Sequence, residues 1–114
     1  MKIHLTTLAS EKGTFAVEVA FTNEAAEAFT PNSGLNWTLT DRSGNVINSR
    51  SAVSITPAST VTIVLSGLDL AVPNINDRYR LLTVEGTYNS TTLGNNLPFK
   101  VEIKFKISNL EKVT

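Results

Sequence analysis

A chain of 114 residues with ten Lys plus Arg against ten Asp plus Glu has room for one hydrophobic core and no single-sign field to draw it onto nucleic acid or anionic lipid. It has no cysteine, which excludes disulfides, thiolate chemistry and Cys-based zinc sites together. No stretch approaches the ~18 apolar residues of a spanning helix, and the start has no apolar signal core, so the expectation is a soluble protein without a secretion signal of its own or a membrane partner.

Charged residues make up only 18% of the chain, and Thr, Ser and Asn take their place, a mixture suited to strands and polar turns. In chain order, residues 2–8, KIHLTTL, form a first short strand candidate. Residues 14–23, TFAVEVAFTN, alternate: Phe15, Val17, Val19 and Phe21 share one face, and Ala16, Glu18, Ala20 and Thr22 the other. The next stretch, EAAEAF, holds helix formers, but Pro31, Asn32, Ser33 and Gly34 follow at once, so it reads as a loop with local order.

Leu35, Trp37 and Leu39 then face one way, with Asn36, Thr38 and Thr40 facing the other. Asp41-Arg42-Ser43-Gly44 has the composition of a type I turn, Asp first and Gly last. Residues 46–50 return as its hairpin partner. Val53 and Ile55 begin a short strand that Pro57 interrupts, and Val61, Ile63 and Leu65 make the next, ending at Ser66-Gly67. Residues 68–73 read as a crossover. In YRLLTVEGTY, residues 79–88, Leu82, Val84 and Tyr88 share a face, and Gly86 in mid-strand marks a bulge or a close backbone approach, expected beneath Trp37. The sharpest alternation comes last: Phe99, Val101, Ile103, Phe105 and Ile107 against Lys100, Glu102, Lys104, Lys106 and Ser108. Short strands, evenly spaced turns and no helix of useful length predict an all-β chain, a single domain over residues 1–114 built as an antiparallel β-sandwich.

His4, the sole histidine, reads as a solvent-facing strand residue, since no serine elbow or cysteine accompanies it. The carboxylates Glu18, Asp41, Asp69, Asp77, Glu85 and Glu102 are scattered, without calcium-loop spacing, and the glycines never cluster into a phosphate loop. The expectation is therefore a non-enzyme with no catalytic residue, no cofactor and no metal. Lys100, Lys104 and Lys106 form a stripe that Glu102 breaks, with no aromatic expected on that face, and read as guards against edge-to-edge aggregation. Trp37, by parity, belongs to the core. Recognition is left to the loops at residues 24–34 and 89–97, with Phe29, Pro31 and Asn32 on the first and Thr91, Thr92, Leu93, Asn95 and Asn96 on the second as candidate contact residues. Addition of residues 2–8 to a neighbour's sheet is a further route.

The succession of an apolar strand ending FTN, a Pro-containing loop, LNWTLTD, GNVINSR, TVTIVLSGLDLA, RLLTVEGTYNS and LPFKVEIKF resembles a small immunoglobulin-like or fibronectin-III-like sandwich over almost the whole chain. The resemblance implies an immunoglobulin-like sandwich of seven to eight strands, with Trp37 as its buried strand-C tryptophan and no disulfide. More narrowly, WTLTDRSGNVINSR, IVLSGLDLA and LTVEGTYNSTTLGNNLP resemble free-standing proteins of this size from tailed bacteriophages. That likeness implies a non-enzymatic virion structural or accessory protein: capsid decoration, head fibre or tail-attached module. Its implied partners are the major capsid or tail proteins of the same virion, with homo-oligomerisation left open and with neither nucleic acid nor membrane bound. Its implied location is the virion, assembled in the host cytoplasm. A carbohydrate- or host-surface-binding module of an adhesin is the alternative, and a small hydrolase with a site not visible in the sequence is a third class.

Overall fold

The computed structural model describes residues 2–4, 9–23, 25–72 and 78–108, with the side chains of residues 2–4 and 10 left aside. The expected all-β sandwich is present. The strands are β1 (Lys2–His4), β2 (Ala9–Ser10), β3 (Thr14–Ala20), β4 (Asn36–Thr40), β5 (Val53–Ser54), β6 (Thr60–Ser66), β7 (Tyr79–Ser90) and β8 (Gly94–Ser108), with one 3-10 turn at Gly67–Leu70. The larger sheet has the order β1-β8-β7-β4-β5, β2 also joining β8, and the smaller is β3-β6. Of the expected strand at residues 2–8, residues 2–4 are strand and residues 5–8 lie outside the described residues, as do Pro73 of the crossover, Asp77 and Glu24.

Parity placed the core residues well. Val17, Val19 and Phe21 from β3 and its continuation, Leu35, Trp37 and Leu39 around β4, Val61, Ile63 and Leu65 from β6, Leu82 and Val84 from β7, and Val101 to Ile107 at alternate positions of β8 are all buried in one cluster. Phe15 closes it from the side, its ring centroid 5.2 Å from that of Phe105. β3, β4, β6 and β8 each turn one apolar stripe inward, and β7 does so with Arg80 buried on the same face as Leu82 and Val84, so burial of these stripes is what assembles the two sheets.

Three features depart from the expected pattern. First, the pairings of β1 and β2 with β8 are parallel, Lys2 opposite Glu102 and Ala9 opposite Ile107, whereas all other strand pairs are antiparallel. Second, the return after the Asp41 turn is a single bridge, Thr40 to Val46, and no regular strand. The chain leaves it through Asn48 and Ser49, both left-handed at φ 52 and 56, a conformation that ends ladder pairing. Third, Gly86 does mark a close approach, but its neighbours are Leu35 and Phe99 in place of Trp37: an added Cβ would stand 3.1 Å from Leu35 Cδ1 and 3.4 Å from the Phe99 ring. The bulge sits further on, between Tyr88 and Ser90.

The Asp41 turn forms as its sequence specifies. The Gly44 N–H donates to the Asp41 carbonyl at 3.2 Å, and the Asp41 carboxylate accepts from the N–H groups of Ser43 and Asn45 at 2.8 and 3.0 Å. Those backbone donors, Asn45 first, hold its pKa below the usual 3.8.

Candidate interaction surface

The long β7–β8 hairpin outruns the rest of its sheet. β4 pairs with β7 only from Leu81 to Glu85, while β7 and β8 stay paired as far as Ser90 and Gly94. At the tip the Ser90 hydroxyl accepts from the N–H groups of Thr92 and Leu93 at 3.2 and 3.1 Å, which closes a three-residue turn. Behind it Asn95 and Asn96 together oppose Asn89, and Asn96 takes the left-handed conformation at φ 54 while its N–H donates to Asn89 Oδ1 at 3.0 Å. Asn tolerates that conformation better than most residues, which explains its use in this bulge.

The loop after β3 folds against this hairpin. Thr22 bridges to Ala28, and Asn23 Oδ1 accepts from the N–H groups of Ala25 and Glu27, so the described part of the expected loop has local order as a small closed turn. Asn32 then makes the connection. Its N–H donates to the Thr87 carbonyl at 2.8 Å, and its Nδ2 lies 3.1 Å from Asn89 Oδ1 and 3.3 Å from both Thr87 Oγ1 and Asn96 Oδ1. Beneath it the Phe29 ring packs 4.8 Å from Tyr88 and 5.7 Å from both Phe21 and Phe99, centroid to centroid. The two loops expected to serve recognition therefore meet at one end of the sandwich. Their residues divide by environment: Pro31 is buried, Phe29 and Asn32 are half-buried and engaged in the packing just described, and Thr91, Thr92, Leu93, Asn95 and Asn96 are exposed. Leu93, at 60% exposure, is the apolar point of the tip.

Beside this apical end the described residues leave the sandwich open laterally. A groove of about 300 Å³ runs between β3 and β8, walled by residues 17–23 on one side and by Phe99, Lys100, Val101 and Ile103 on the other, with Phe29 and Tyr88 at its upper end. Sequence parity identified these apolar side chains as inward-facing. It gave no sign of the cleft beside them, because that depends on which strands lie next to each other.

The opposite end is basic. Lys106 pairs across from Tyr79, and the Tyr79 ring has Lys104 Nζ at 4.6 Å, Arg42 Cζ at 5.0 Å and Lys106 Nζ at 5.6 Å from its centroid. An aromatic thus does share the lysine stripe, contrary to the reading of β8 alone. The β7–β8 register supplies it from the neighbouring strand. Of the expected stripe, Lys100 lies at the other end of the face, 3.5 Å from Glu85.

A buried acid ties the crossover to the rest of the fold. Asp69, in the 3-10 turn, is fully buried and accepts from Arg50 Nε and Asn48 Nδ2, both at 2.8 Å, and from the Ser66 N–H at 3.1 Å. Burial works to raise its pKa, but the donors from Arg50, Asn48 and Ser66 outweigh it and hold the group below the usual 3.8. Arg50 is correspondingly shifted upward by that hydrogen bond and charge, and its guanidinium also lies 5.9 Å over the Trp37 ring. This is structural chemistry: every Asp69 contact holds one part of the chain to another.

His4 lies in β1, and the expectation for its side chain falls outside the described side chains. Among the described residues no group of three His, Asp or Glu is placed to hold a metal ion, and no helix is long and apolar enough to cross a membrane. What the surface offers is contact: an apolar tip, a rim of amide side chains, a lateral apolar groove and a basic far end. No family model, no curated protein and no solved structure matches the chain.

Proposed function

We propose that this chain is a non-enzymatic accessory protein of a tailed-phage virion, an immunoglobulin-like sandwich that docks on the capsid or tail lattice. The motif likeness of residues 37–50, 63–71 and 82–98 supplies the virion side of this reading. The observation that carries the docking side is the convergence of both long loops on one braced end. Asn32 joins them, so the exposed tip around Leu93 is held on an ordered hairpin. A preorganised tip loses little entropy on contact, which suits a small module that must bind a repeating lattice.

The experiment is mass spectrometry of particles of the encoding phage purified on a density gradient. Stoichiometric presence of the chain supports the reading. Replacing Leu93 by Asp is expected to lower incorporation at least several-fold while circular dichroism of the free protein stays unchanged. Absence of the wild-type chain from particles overturns the virion reading and transfers the tip to the alternative, a carbohydrate- or host-surface-binding module.

A further inference from the structure

The two walls of the lateral groove differ, and ladder parity shows how. The N–H of Phe21 donates to the Ser59 carbonyl at 2.9 Å and the N–H of Gly67 to the Gly13 carbonyl at 3.0 Å, with the β3–β6 register unbroken between them. Hydrogen-bonded pairs alternate in an antiparallel ladder, so the odd-numbered residues of β3 spend their main-chain groups on β6. Ala16, Glu18 and Ala20 turn their N–H and C=O groups the other way, Glu18 and Ala20 toward the groove and Ala16 along the same edge just before it, and on this edge β3 has no strand neighbour among the described residues. On the opposite wall the N–H of Ile107 donates to the Arg78 carbonyl at 2.8 Å, and the register runs unbroken from there to Leu97, so the even-numbered residues of β8 face outward. The first of these at its upper end is Pro98, which has no N–H, the next is Lys100, whose charge discourages pairing, and beyond it Glu102 and Lys104 already lie in the pairing with β1. One wall is a full template of donors and acceptors. The other is blocked.

We infer that the groove is a strand-acceptor site, in which an extended segment of a partner protein adds as a third strand to the free edge of β3. This rests on the docking reading above and names the chemistry of its partner. An extended backbone is the occupant that satisfies successive outward N–H and C=O groups at strand spacing. At ~3.3 Å per residue, the wall over residues 17–23 matches a segment of about seven residues. Its alternate side chains fall onto Phe21, Phe99, Val101 and Ile103 and are apolar. The others lie on the outer face beside Glu18, which is exposed and forms no ion pair among the described residues. Opposite charges are favoured between neighbouring strands on one face, so the central outward residue is Lys or Arg. A second copy offering its own β3 does not fit: its inward side chains are already buried in its own core, and paired β3 edges bring two Glu18 carboxylates onto one face.

The probe is the capped peptide Val-Thr-Val-Lys-Val-Thr-Val, titrated into isotope-labelled protein while amide hydrogen exchange is followed by NMR. Saturation is expected to slow exchange of the Ala16, Glu18 and Ala20 amides at least about tenfold. Glu18→Lys weakens this peptide about three- to tenfold and improves binding of the version with Glu in place of Lys. Ala20→Pro removes one edge donor that β6 does not use, and abolishes binding. If that variant does not fold, N-methylation of the peptide amides that face β3 abolishes binding to the unchanged protein. The inference is overturned if the three amides are unaffected at millimolar peptide, if protection appears at Lys100 instead, or if they are already protected in a dimer of the free protein. Peptide binding by a chain absent from particles overturns the virion reading and leaves the strand site. A chain present in particles whose groove binds no peptide does the reverse.

Discussion

Trp37 and Asp69 are both buried, and they stabilise the sandwich by different physics. Trp37 contributes area: it sits between Leu35 and Leu39 on the inward face of β4, opposite Val84 on one side and Val53 on the other. Trp37→Ala is expected to cost ~3 to 5 kcal/mol in urea unfolding, because the cavity left in a closed core does not refill. Native Trp emission is correspondingly expected to be blue-shifted and to move red on unfolding. Asp69 contributes directed bonds. Its folded pKa lies below the usual 3.8, so its contribution is complete above that pH and is lost as pH falls through the lower folded value. Asp69→Asn keeps the shape and loses the charge, at a cost of about 2 kcal/mol near neutrality. The gap between wild type and variant, read as urea midpoints from pH 7 down to pH 2, closes on acidification. A gap that stays constant would show that the charge contributes nothing.

At the scale of elements, the hairpin depends on its brace. The pairing beyond Glu85 has no β4 beside it, and Asn32 supplies the missing lateral support from the loop. Asn32→Ala is expected to speed amide exchange at Asn96 and the tip about fivefold, the equivalent of ~1 kcal/mol of local opening, while global unfolding moves little. Much of the fold behind this hairpin was legible in the sequence, since β3, β6 and β8 alternate cleanly and a half-buried strand must do so. The parallel β1 and β2 pairings were not legible, because they depend on which distant strand lies alongside and leave no periodic mark. The 3-10 turn was read only as a crossover. Four residues carry too little pattern, and its defining contact, Arg50 to Asp69, spans 19 positions. The candidate site was legible in part: both loops stood out by length and polarity, but their meeting through Asn32, 57 positions from Asn89, is a product of topology. The groove was invisible for the same reason, as it lies along a strand edge with no strand neighbour among the described residues.

For the whole molecule, zero net charge hides an uneven arrangement. Arg42, Lys104 and Lys106 surround Tyr79 at one end, whereas the tip at the other is lined by amides, hydroxyls and Leu93, and the groove beside it sets Glu18 and Lys100 among mainly apolar side chains. The two ends respond differently to salt, which makes the docking end measurable. Contacts of an exposed basic cluster are screened once the Debye length falls below their range, whereas apolar burial and strand pairing are not. Docking through the tip and groove is therefore expected to survive washing of particles at ~0.5 M NaCl, where the Debye length is ~4 to 5 Å. A paired sample of Lys104→Glu, Lys106→Glu particles is expected to retain the chain to the same extent as wild type. Release of wild type by salt, together with loss of the double variant at low salt, would move the docking surface to the Tyr79 end. Retention of both, with loss of Leu93→Asp, fixes it at the tip, since the two sets of residues stand at opposite ends of one hairpin and share no neighbours.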